Sequence, residues 1–408
     1  MPSNSAQILG QSRGEVNPAE SAGTLVVFAD DWGRHPSSCQ HLVRHLLPRW
    51  RTLWVNTIGM RRPGLSREDL AKILTRLRQW TQAHDPAPRP AGLKVASPRM
   101  YPGFRATWQR KLNAQLLARQ VNRDLAKLDA PGPTLGLTTL PIAADLVGRL
   151  EVDRWVYVCV DDFSAWPGVD HAAMDAMERD LVARVDRVFA VSETLRDRLA
   201  AMGRADAELL THGVDLEHWA ENGIRHRFSA RHRFSACENG VGYLFWGLID
   251  ARLDADWCLA LGGDLALVGP VQDPPGAIEP LLAGPRDYAE LPALAGQAEV
   301  LVMPYRDLPV TRAMQPLKLL EYLATYRPVV VRNLPATRPW ADCCDVVADE
   351  ASFLATCRER AKTGLPADQR AAREHRLAGA SWAAKAELLE RVLLGEAGPA
   401  AETAADRR

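Results

Sequence analysis

The run AMQPLKLLEYLATYRPVVV, residues 313–331, combines side chains that suit a ligand carrying phosphate and hydroxyl groups. Pro316 fits the first position of a helix, where its missing N–H costs nothing. The free N–H groups of that first turn favour an anion, and Lys318 adds a full positive charge beside them. Glu321, one turn further on, can accept hydrogen bonds from a pair of sugar hydroxyls. The alternative is an ion pair between Lys318 and Glu321 on a solvated helix face.

Further cations surround this helix in the sequence. Arg306 and Arg312 lie in the loop after the predicted strand EVLVMPY, and Arg252 follows the predicted strand VGYLFWG, which Gly247 closes. A glycine at a strand end lets the backbone approach a phosphate closely, although a plain turn explains it equally well. Because parallel sheets bind ligands beyond the carboxyl ends of their strands, we expect these residues to share one site.

Two other loops carry candidates for acid–base chemistry. Asp161 and Asp162 come directly after the apolar run RWVYVCV, where they can act on an acceptor hydroxyl or close a turn. The loop DDWGRHPSS after the first predicted strand also carries polar side chains, which include Asp31, Arg34 and His35. His35 is a candidate base, with a solvated loop histidine as the alternative, and His212 in THGVD is a further candidate for this site.

Elements that position these residues alternate along the chain. Continuous apolar runs predict strands at 24–29, 52–57, 93–96, 134–139, 154–160, 187–192, 241–247, 264–269, 299–305 and 328–331. Helical patterns cover 38–47, 66–82, 106–127 and 381–394. Ser37 or Ser38, Ser192 and Ser381 are placed to cap the helices that follow them. Strands that are apolar throughout and separated by helices indicate parallel sheets covered on both faces, which is an α/β fold.

The length of 408 residues predicts more than one domain. The segment RHRFSA occurs twice in succession at 225–236, which suggests a tolerated insertion in an exposed connection. We therefore predict the following order: a disordered N-terminus at 1–23, an N-terminal α/β domain at 24–220, a linker at 221–240, a C-terminal α/β domain at 241–380, a closing helix at 381–394 and a disordered tail at 395–408.

The composition limits the partners and the cellular compartment that we expect for this protein. The 50 basic and 50 acidic side chains cancel, which argues against a nucleic-acid partner. The seven cysteines are odd in number and form no C-x-x-C pair, as in a protein of the reducing cytoplasm. The polar N-terminus lacks an apolar signal core, and no apolar run reaches eighteen residues. A cytoplasmic protein is predicted.

Residues 61–125 carry 14 Lys or Arg against 4 Asp or Glu. Leucines recur there at helical spacing, with tryptophan and cations at the flanks. Such a surface can lie on anionic lipid at the inner face of a membrane. An ordinary domain helix with a solvated cationic face explains the pattern equally well, so both interpretations stay open.

The motifs together resemble the GT-B glycosyltransferases over roughly residues 24–394. GLIDARLD, LALVGP, LPALAGQAEVLVMPY and PLKLLEYLATYRPVVV are similar to the donor-binding half of that family. DDWGRHPSSCQHLVRHL, WVYVCVDDFSAWPG, VFAVSETLRDRL and HGVDLEHW are similar to its acceptor half. The resemblance implies two Rossmann-like domains whose parallel sheets face an interdomain cleft.

The resemblance also implies residue roles. Lys318 would bind the diphosphate of a nucleotide sugar and Glu321 the ribose hydroxyls. Many retaining members carry a second glutamate eight positions earlier, which contacts the donor sugar. Ala313 stands there in this chain, so Gln315 or a loop residue would take over that contact.

The function expected from this reading is transfer of a sugar from a nucleotide diphosphate donor to a hydroxyl of a glycan or lipid-linked acceptor, in envelope or exported polysaccharide assembly. No metal or other cofactor is expected, because Lys318, Arg252, Arg306 and the helix N-terminus can neutralise the leaving diphosphate. A nucleotide-sugar epimerase and a non-catalytic sugar-nucleotide-binding protein are the alternatives. An NAD-dependent oxidoreductase is disfavoured because the first strand is not followed by G-x-G-x-x-G.

Overall fold

The computed structural model describes residues 21–33, 37–56, 89–101, 106–128, 130–165, 170–219, 241–313 and 317–396. The chain divides into two compact units. Unit 1 takes the described residues up to Leu210 and those from Ala386 onward, and unit 2 runs from Thr211 to Lys385. The predicted linker, most of both predicted disordered ends and the predicted helix at 66–82 lie outside the described residues, and the predicted domain limits stay predictions.

Unit 1 is built on a parallel sheet, as its continuous apolar runs predict. Its described residues form seven strands in the order β3-β2-β1-β4-β5-β6-β7. The registers of all the neighbouring pairs are parallel. The strands are β1 (Gly23–Ala29), β2 (Trp50–Asn56), β3 (Leu93–Ala96), β4 (Thr134–Thr138), β5 (Arg154–Cys159), β6 (Arg187–Ala190) and β7 (Glu208–Leu209). Every residue of β1 is buried, because helices cover both faces of the sheet centre.

Two helices of unit 1 begin at serine caps that the sequence indicates. Ser37 accepts a bond from the Gln40 N–H and Ser192 one from the Leu195 N–H, so both serines cap their helices as expected. Within the described residues the helices that start in this unit are α1 (Ser38–Leu46), α2 (Thr107–Leu125), α3 (His171–Val182) and α4 (Glu193–Ala201). These helices pack buried side chains against the sheet and leave the loops after β1 and β5 at its carboxyl edge.

Unit 2 repeats the same plan with six strands among its described residues, in the order β10-β9-β8-β11-β12-β13. All the pairs are again parallel. The strands are β8 (Val241–Trp246), β9 (Leu265–Val268), β10 (Leu282–Gly284), β11 (Ala298–Met303), β12 (Val329–Arg332) and β13 (Asp345–Val347). Strands β8 and β11 are therefore adjacent, which brings the loops that follow them together.

Helices that start in unit 2 and are described over their full length include α5 (Ala255–Ala260), α6 (Leu291–Ala295), α7 (Pro309–Ala313), α8 (Leu317–Ala324), α9 (Glu350–Thr363), α10 (Ala367–Ala378) and α11 (Trp382–Leu393). The last, α11, begins in unit 2 and ends in unit 1. The Ser381 side chain accepts a bond from the Ala384 N–H at its start, as predicted.

A buried arginine closes the far end of α8. Arg373 of α10 is fully buried and donates to the carbonyl oxygens of Cys343, Leu323 and Arg327, at 2.7, 3.4 and 2.7 Å. Burial lowers the pKa of its guanidinium to about 10. Because these carbonyls include one from the last turn of α8, Arg373 fixes the helix whose other end carries Lys318.

Candidate functional site

The ammonium of Lys318 lies over aromatic rings at the edge of the unit 2 sheet. Its Nζ donates to the Tyr305 hydroxyl at 2.9 Å and lies 5.0 Å from the centroid of the Phe245 ring. Among the described residues, no carboxylate forms an ion pair with it. Two of its three N–H donors have no partner in this part of the chain, so the group can meet an anion with two bonds.

Gly247 is required for this position of Lys318. An ideal Cβ on Gly247 would lie 1.9 Å from the Lys318 Nζ, and the residue has a φ of +139°. A Cβ on Gly269 would in turn lie 2.0 Å from the Gly247 carbonyl oxygen. Both glycines end a strand, so the backbones after β8 and β9 approach each other and leave room for the lysine.

The two predicted arginines lie beside the same tyrosine. Arg252 forms a double ion pair with Asp250, with Nε–Oδ1 at 2.9 Å and Nη2–Oδ2 at 2.8 Å, and its guanidinium lies 5.7 Å from the Tyr305 ring centroid. The Arg306 N–H donates to the Arg252 carbonyl at 2.7 Å. The Arg306 side chain is exposed and pairs with no carboxylate in the described ranges. The Lys318 and Arg252 side chains thus lie beside Tyr305, Arg306 follows this tyrosine directly in the chain, and Gln315 lies outside the described residues.

Glu321 is buried, with 8% of its surface exposed. Its Oε2 accepts a bond from Trp246 Nε1 at 3.3 Å and its Oε1 one from the Tyr288 hydroxyl at 3.1 Å. Burial raises the pKa of its carboxyl, although these two bonds and the charge of Lys318 oppose the shift. An exposed ion pair between Lys318 and Glu321 is therefore not what this helix turn forms. A ligand hydroxyl would use the lone pairs of Glu321 that its two neighbours leave over.

Aromatic side chains surround Glu321. The Tyr288 hydroxyl accepts a bond from Trp219 Nε1 at 3.1 Å, and the His218 ring stacks on the Tyr288 ring at 4.6 Å. Burial lowers the pKa of His218 and favours its neutral form. The carboxylate of Glu321 is thus enclosed by aromatic side chains that bond to it and to one another.

On unit 1, the predicted carboxylates after β5 build a turn. The Asp162 N–H donates to Asp161 Oδ1 at 2.8 Å. Asp162 Oδ1 then accepts from the Ser164 N–H at 3.1 Å and from the Ser164 hydroxyl at 2.6 Å. The turn role that the sequence left open for one of them is thus filled by Asp162. Their role in acid–base chemistry stays a prediction.

The other predicted residues divide between the two units. Asp31 lies in the loop after β1, where its carbonyl oxygen accepts from Gln40 Nε2 at 3.4 Å. Arg34 and His35, predicted in the same loop, lie outside the described residues. His212 belongs to unit 2, where it is buried with its ring 6.4 Å from the ring of Trp382. The roles assigned to these residues stay predictions.

The aromatic partners of Lys318 and Glu321 and a repeated loop were not predicted from the sequence. Tyr305, Tyr288 and Trp246 hold Lys318 and Glu321, and no local pattern marks them because sheet pairing brings them there. The loop had a signal: RDLPVTR at 306–312 and RNLPATR at 332–338 share five of seven residues. We name them the β11 loop and the β12 loop, after the strands that they follow.

The two loops have the same internal bonds. In the β11 loop, Thr311 Oγ1 donates to the Arg306 carbonyl at 2.6 Å and accepts from the Leu308 N–H at 2.8 Å. In the β12 loop, Thr337 Oγ1 donates to the Arg332 carbonyl at 2.6 Å and accepts from the Leu334 N–H at 2.9 Å. Thr311 and Thr337 are buried, so each threonine closes its loop from inside.

No group of three or more His, Cys, Asp or Glu in the described ranges is arranged to hold a metal ion. Nor does any helix described there have the length and apolarity needed to cross a membrane. The expectation that transfer needs no metal stays a prediction, and it rests on Lys318, Arg252 and Arg306 as the groups that neutralise the diphosphate.

Comparisons with known proteins begin with the sequence, and no family model matches the chain. A curated relative from Bacillus subtilis (strain 168), named "Putative teichuronic acid biosynthesis glycosyltransferase TuaH", is 29% identical over 205 residues. The match covers 45% of this chain and 52% of TuaH, so the chain spans about half the length of this relative.

Solved structures match over nearly the whole chain. The α,α-trehalose-phosphate synthase (UDP-forming) from Burkholderia vietnamiensis has a TM-score of 0.60 at 14% identity, covering 93% of this chain and 98% of that one. Anabaena Alr3699/HepE, solved in complex with UDP and glucose, has a TM-score of 0.58 at 13% identity, covering 91% and 99%. At these identities the likeness concerns the fold. The two parallel sheets and these neighbours confirm the predicted fold class: the chain has the GT-B fold, with two Rossmann-like units.

Proposed function

We propose that the chain is a glycosyltransferase that moves a sugar from a nucleoside diphosphate to a hydroxyl acceptor in cell-envelope polysaccharide assembly. The observation that carries the proposal is the Lys318 ammonium, held over Gly247 by Tyr305 with no carboxylate partner in the described part of the chain. Such a cation fits a diphosphate. The resemblance to TuaH supports the envelope setting, and the UDP of the structural neighbours makes UDP the first base to test.

The proposed chemistry breaks the bond between the anomeric carbon of the sugar and the diphosphate oxygen, and forms one to the acceptor oxygen. Lys318 and Arg306 stabilise the negative charge that develops on the diphosphate. Arg252 contributes less, because Asp250 already compensates its charge. The acceptor proton passes to a base, for which Asp161 and His35 are our candidates. Asp162 is less suited, because its Oδ1 already accepts hydrogen bonds from the Ser164 N–H and the Ser164 hydroxyl.

The test is thermal unfolding with UDP, other nucleoside diphosphates and their sugars. A ligand at about a hundred times its dissociation constant adds roughly 2.7 kcal/mol to the stability, which raises the unfolding midpoint by several degrees. We expect UDP to stabilise the wild type and Lys362→Ala, a control at an exposed lysine of unit 2, but not Lys318→Ala. Equal shifts in both variants, or no shift with any diphosphate, would remove the donor assignment.

We further propose that α2 lies on an anionic membrane surface, which supports a lipid-linked acceptor and a cytoplasmic location at the inner face. Trp108, Lys111, Gln115 and Arg119 are exposed and follow one another at helical spacing. Trp108 is 56% exposed, with its ring 5.1 Å from that of Tyr101. The acidic residue of this helix, Asp124, is bonded to Lys94 at 2.9 Å.

Vesicle co-sedimentation tests this surface. Each cation near an anionic membrane contributes about 1 kcal/mol, so reversing Lys111 and Arg119 to Glu should weaken binding to vesicles rich in phosphatidylglycerol by more than about tenfold. The matched control reverses Arg358 and Lys362, two exposed cations of α9, with the same change in net charge. If both pairs weaken binding alike, the attraction is not specific to α2.

A further inference from the structure

A fully buried carboxylate lies beneath the predicted acceptor-side loop of unit 1. Glu178 of α3 has no exposed surface. Its Oε1 accepts bonds from the Tyr157 hydroxyl at 2.7 Å and from the Cys159 thiol at 3.5 Å, and its Oε2 accepts from Arg198 Nη1. Both oxygens are thus used, and the charge is compensated by Arg198 alone among these donors.

Tyr157 and Cys159 stay protonated beside Glu178. Burial raises the pKa of the Tyr157 phenol well above its ordinary value, and the charge of Glu178 adds to the shift. Burial likewise raises the pKa of the Cys159 thiol. For Arg198, burial lowers the pKa, but the charge and hydrogen bond of Glu178 outweigh it and the net shift is upward. The group is therefore a buried ion pair flanked by neutral donors.

Arg198 reaches from this pair to the loop after β5. Its second terminal nitrogen, Nη2, lies 3.3 Å from Ser164 Oγ, 3.4 Å from Asp162 Oδ1 and 3.4 Å from Asp175 Oδ1. Ser164 and Asp162 are the two residues that close the turn, and the Ser164 carbonyl also contacts the His171 ring. One guanidinium thus connects a carboxylate in the core with the turn that carries Asp161.

We propose that Arg198, anchored by Glu178, is a positioning residue that fixes the Asp161–Ser164 turn for sugar transfer. The inference rests on the proposed function for its catalytic meaning. A planar guanidinium can bond to Glu178 with one nitrogen and to Ser164 and Asp162 with the other, whereas a lysine ammonium is a single point charge. Arg198→Lys therefore keeps a cation beside Glu178 and loses the link to the turn.

Three variants separate positioning from stability. Arg198→Lys weakens the link to the turn, and Ser164→Ala removes its far end without touching Glu178. Tyr157→Phe is the matched control, because it removes a bond to the same buried carboxylate and leaves Arg198 and Ser164 in place. If these side chains contributed only to stability, all three variants would change amide exchange and turnover in proportion to the fall in their unfolding midpoints.

Two measurements decide the matter. Amide hydrogen exchange at residues 162–164 should be at least tenfold faster in Arg198→Lys and Ser164→Ala than in the wild type, and unchanged in Tyr157→Phe. Release of UDP from UDP-glucose, with water as acceptor, should fall at least tenfold in kcat for the first two variants, with KM for UDP-glucose within twofold. Unchanged exchange in Arg198→Lys, or equal acceleration in Tyr157→Phe, would overturn the proposal. Absence of turnover and of UDP binding in the wild type would instead count against the proposed function, and the exchange result would still decide whether Arg198 holds the turn.

Discussion

The β11 loop and the β12 loop have the same internal hydrogen bonds, but their first arginines, Arg306 and Arg332, have different surroundings. Each follows a strand, and the strands are neighbours. In the β12 loop, Arg332 forms an ion pair with Asp254 and lies 3.7 Å above the Trp257 ring. In the β11 loop, the equivalent Arg306 is exposed and has no carboxylate partner in the described ranges.

The surroundings of these two arginines indicate which loop can contact a ligand. Asp254 also caps α5, since its side chain accepts a bond from the Trp257 N–H. Arg332 therefore belongs to a structural group made of a cap, an aromatic ring and an ion pair. Arg306 has no such group beside it, and the nearest backbone partner of its N–H is Arg252 of the proposed donor site. Under the proposed function, the same sequence motif serves stability at one strand end and donor binding at the next.

The largest expected effect is the loss of stability in Arg332→Ala. The side chains of Arg332 and Asp254 keep only 16% and 19% of their surface exposed, so the variant leaves a largely buried carboxylate without its cation. Breaking a fully buried pair costs 3–5 kcal/mol, and the remaining exposure lowers our expectation to about 2–3 kcal/mol. Urea unfolding measures it, with Arg306→Ala as control. A loss below that of Arg306→Ala would contradict the structural role of Arg332.

Arg306→Ala should show the opposite profile. The Arg306 side chain is exposed and has no partner among the described residues, so its removal changes the free energy of unfolding by about 0.5 kcal/mol or less. Loss of one charge-assisted bond to the diphosphate should weaken UDP binding by about 1.5–3 kcal/mol. Titration calorimetry with UDP measures this, and unchanged affinity would separate the β11 loop from the donor site.

The threonines test whether the loops share one design. Thr311→Val and Thr337→Val each remove a buried hydroxyl and leave an N–H and a carbonyl without their partner. We expect similar destabilisation, about 1–2 kcal/mol each, in urea unfolding. UDP affinity should fall in Thr311→Val alone, because only its loop carries Arg306. Unequal destabilisation would break the analogy between the loops.

Local patterns were enough to predict much of this molecule. The apolar runs gave strands within one or two residues of their observed bounds, and Ser37, Ser192 and Ser381 were recognised as caps because capping depends on residues three apart. Lys318 and Glu321 were singled out because helix spacing and the preceding strand are local features. The parallel α/β class followed from the order of such elements, and the GT-B fold was implied by the resemblance of the motifs to that family.

What escaped prediction depends on pairing between distant segments. Trp246 lies 75 residues before Glu321 and reaches it only because β8 and β11 are adjacent in the sheet. The burial of Glu321 follows from that contact and could not be foreseen. Helices α9 and α10 were not predicted, because their sequences are strongly charged and only a few apolar residues, such as Phe353, Cys357 and Leu377, face the core. The link from Glu178 through Arg198 to Asp162 joins three elements whose packing no spacing reveals.

The smallest effect concerns one position where the loops differ in charge. Arg312 Nε bonds to Asp307 in the β11 loop, and Arg338 Nε bonds to Asn333 at 3.0 Å in the β12 loop. The bond from Arg312 lowers the pKa of Asp307 below its ordinary value of 3.8. A carboxyl whose pKa is lowered by folding stabilises the protein above its ordinary pKa, and that contribution is lost as the pH falls through the lowered value.

Asp307→Asn should therefore reduce the fall in unfolding midpoint between about pH 5 and about pH 3, and Asn333→Asp should increase it. Because Asp307 is fully exposed, we expect changes just above experimental error in urea unfolding at the two pH values. If Asn333→Asp left the pH dependence of the unfolding midpoint unchanged while Asp307→Asn reduced it, the two loops would differ in local electrostatics as well as in the roles of Arg306 and Arg332.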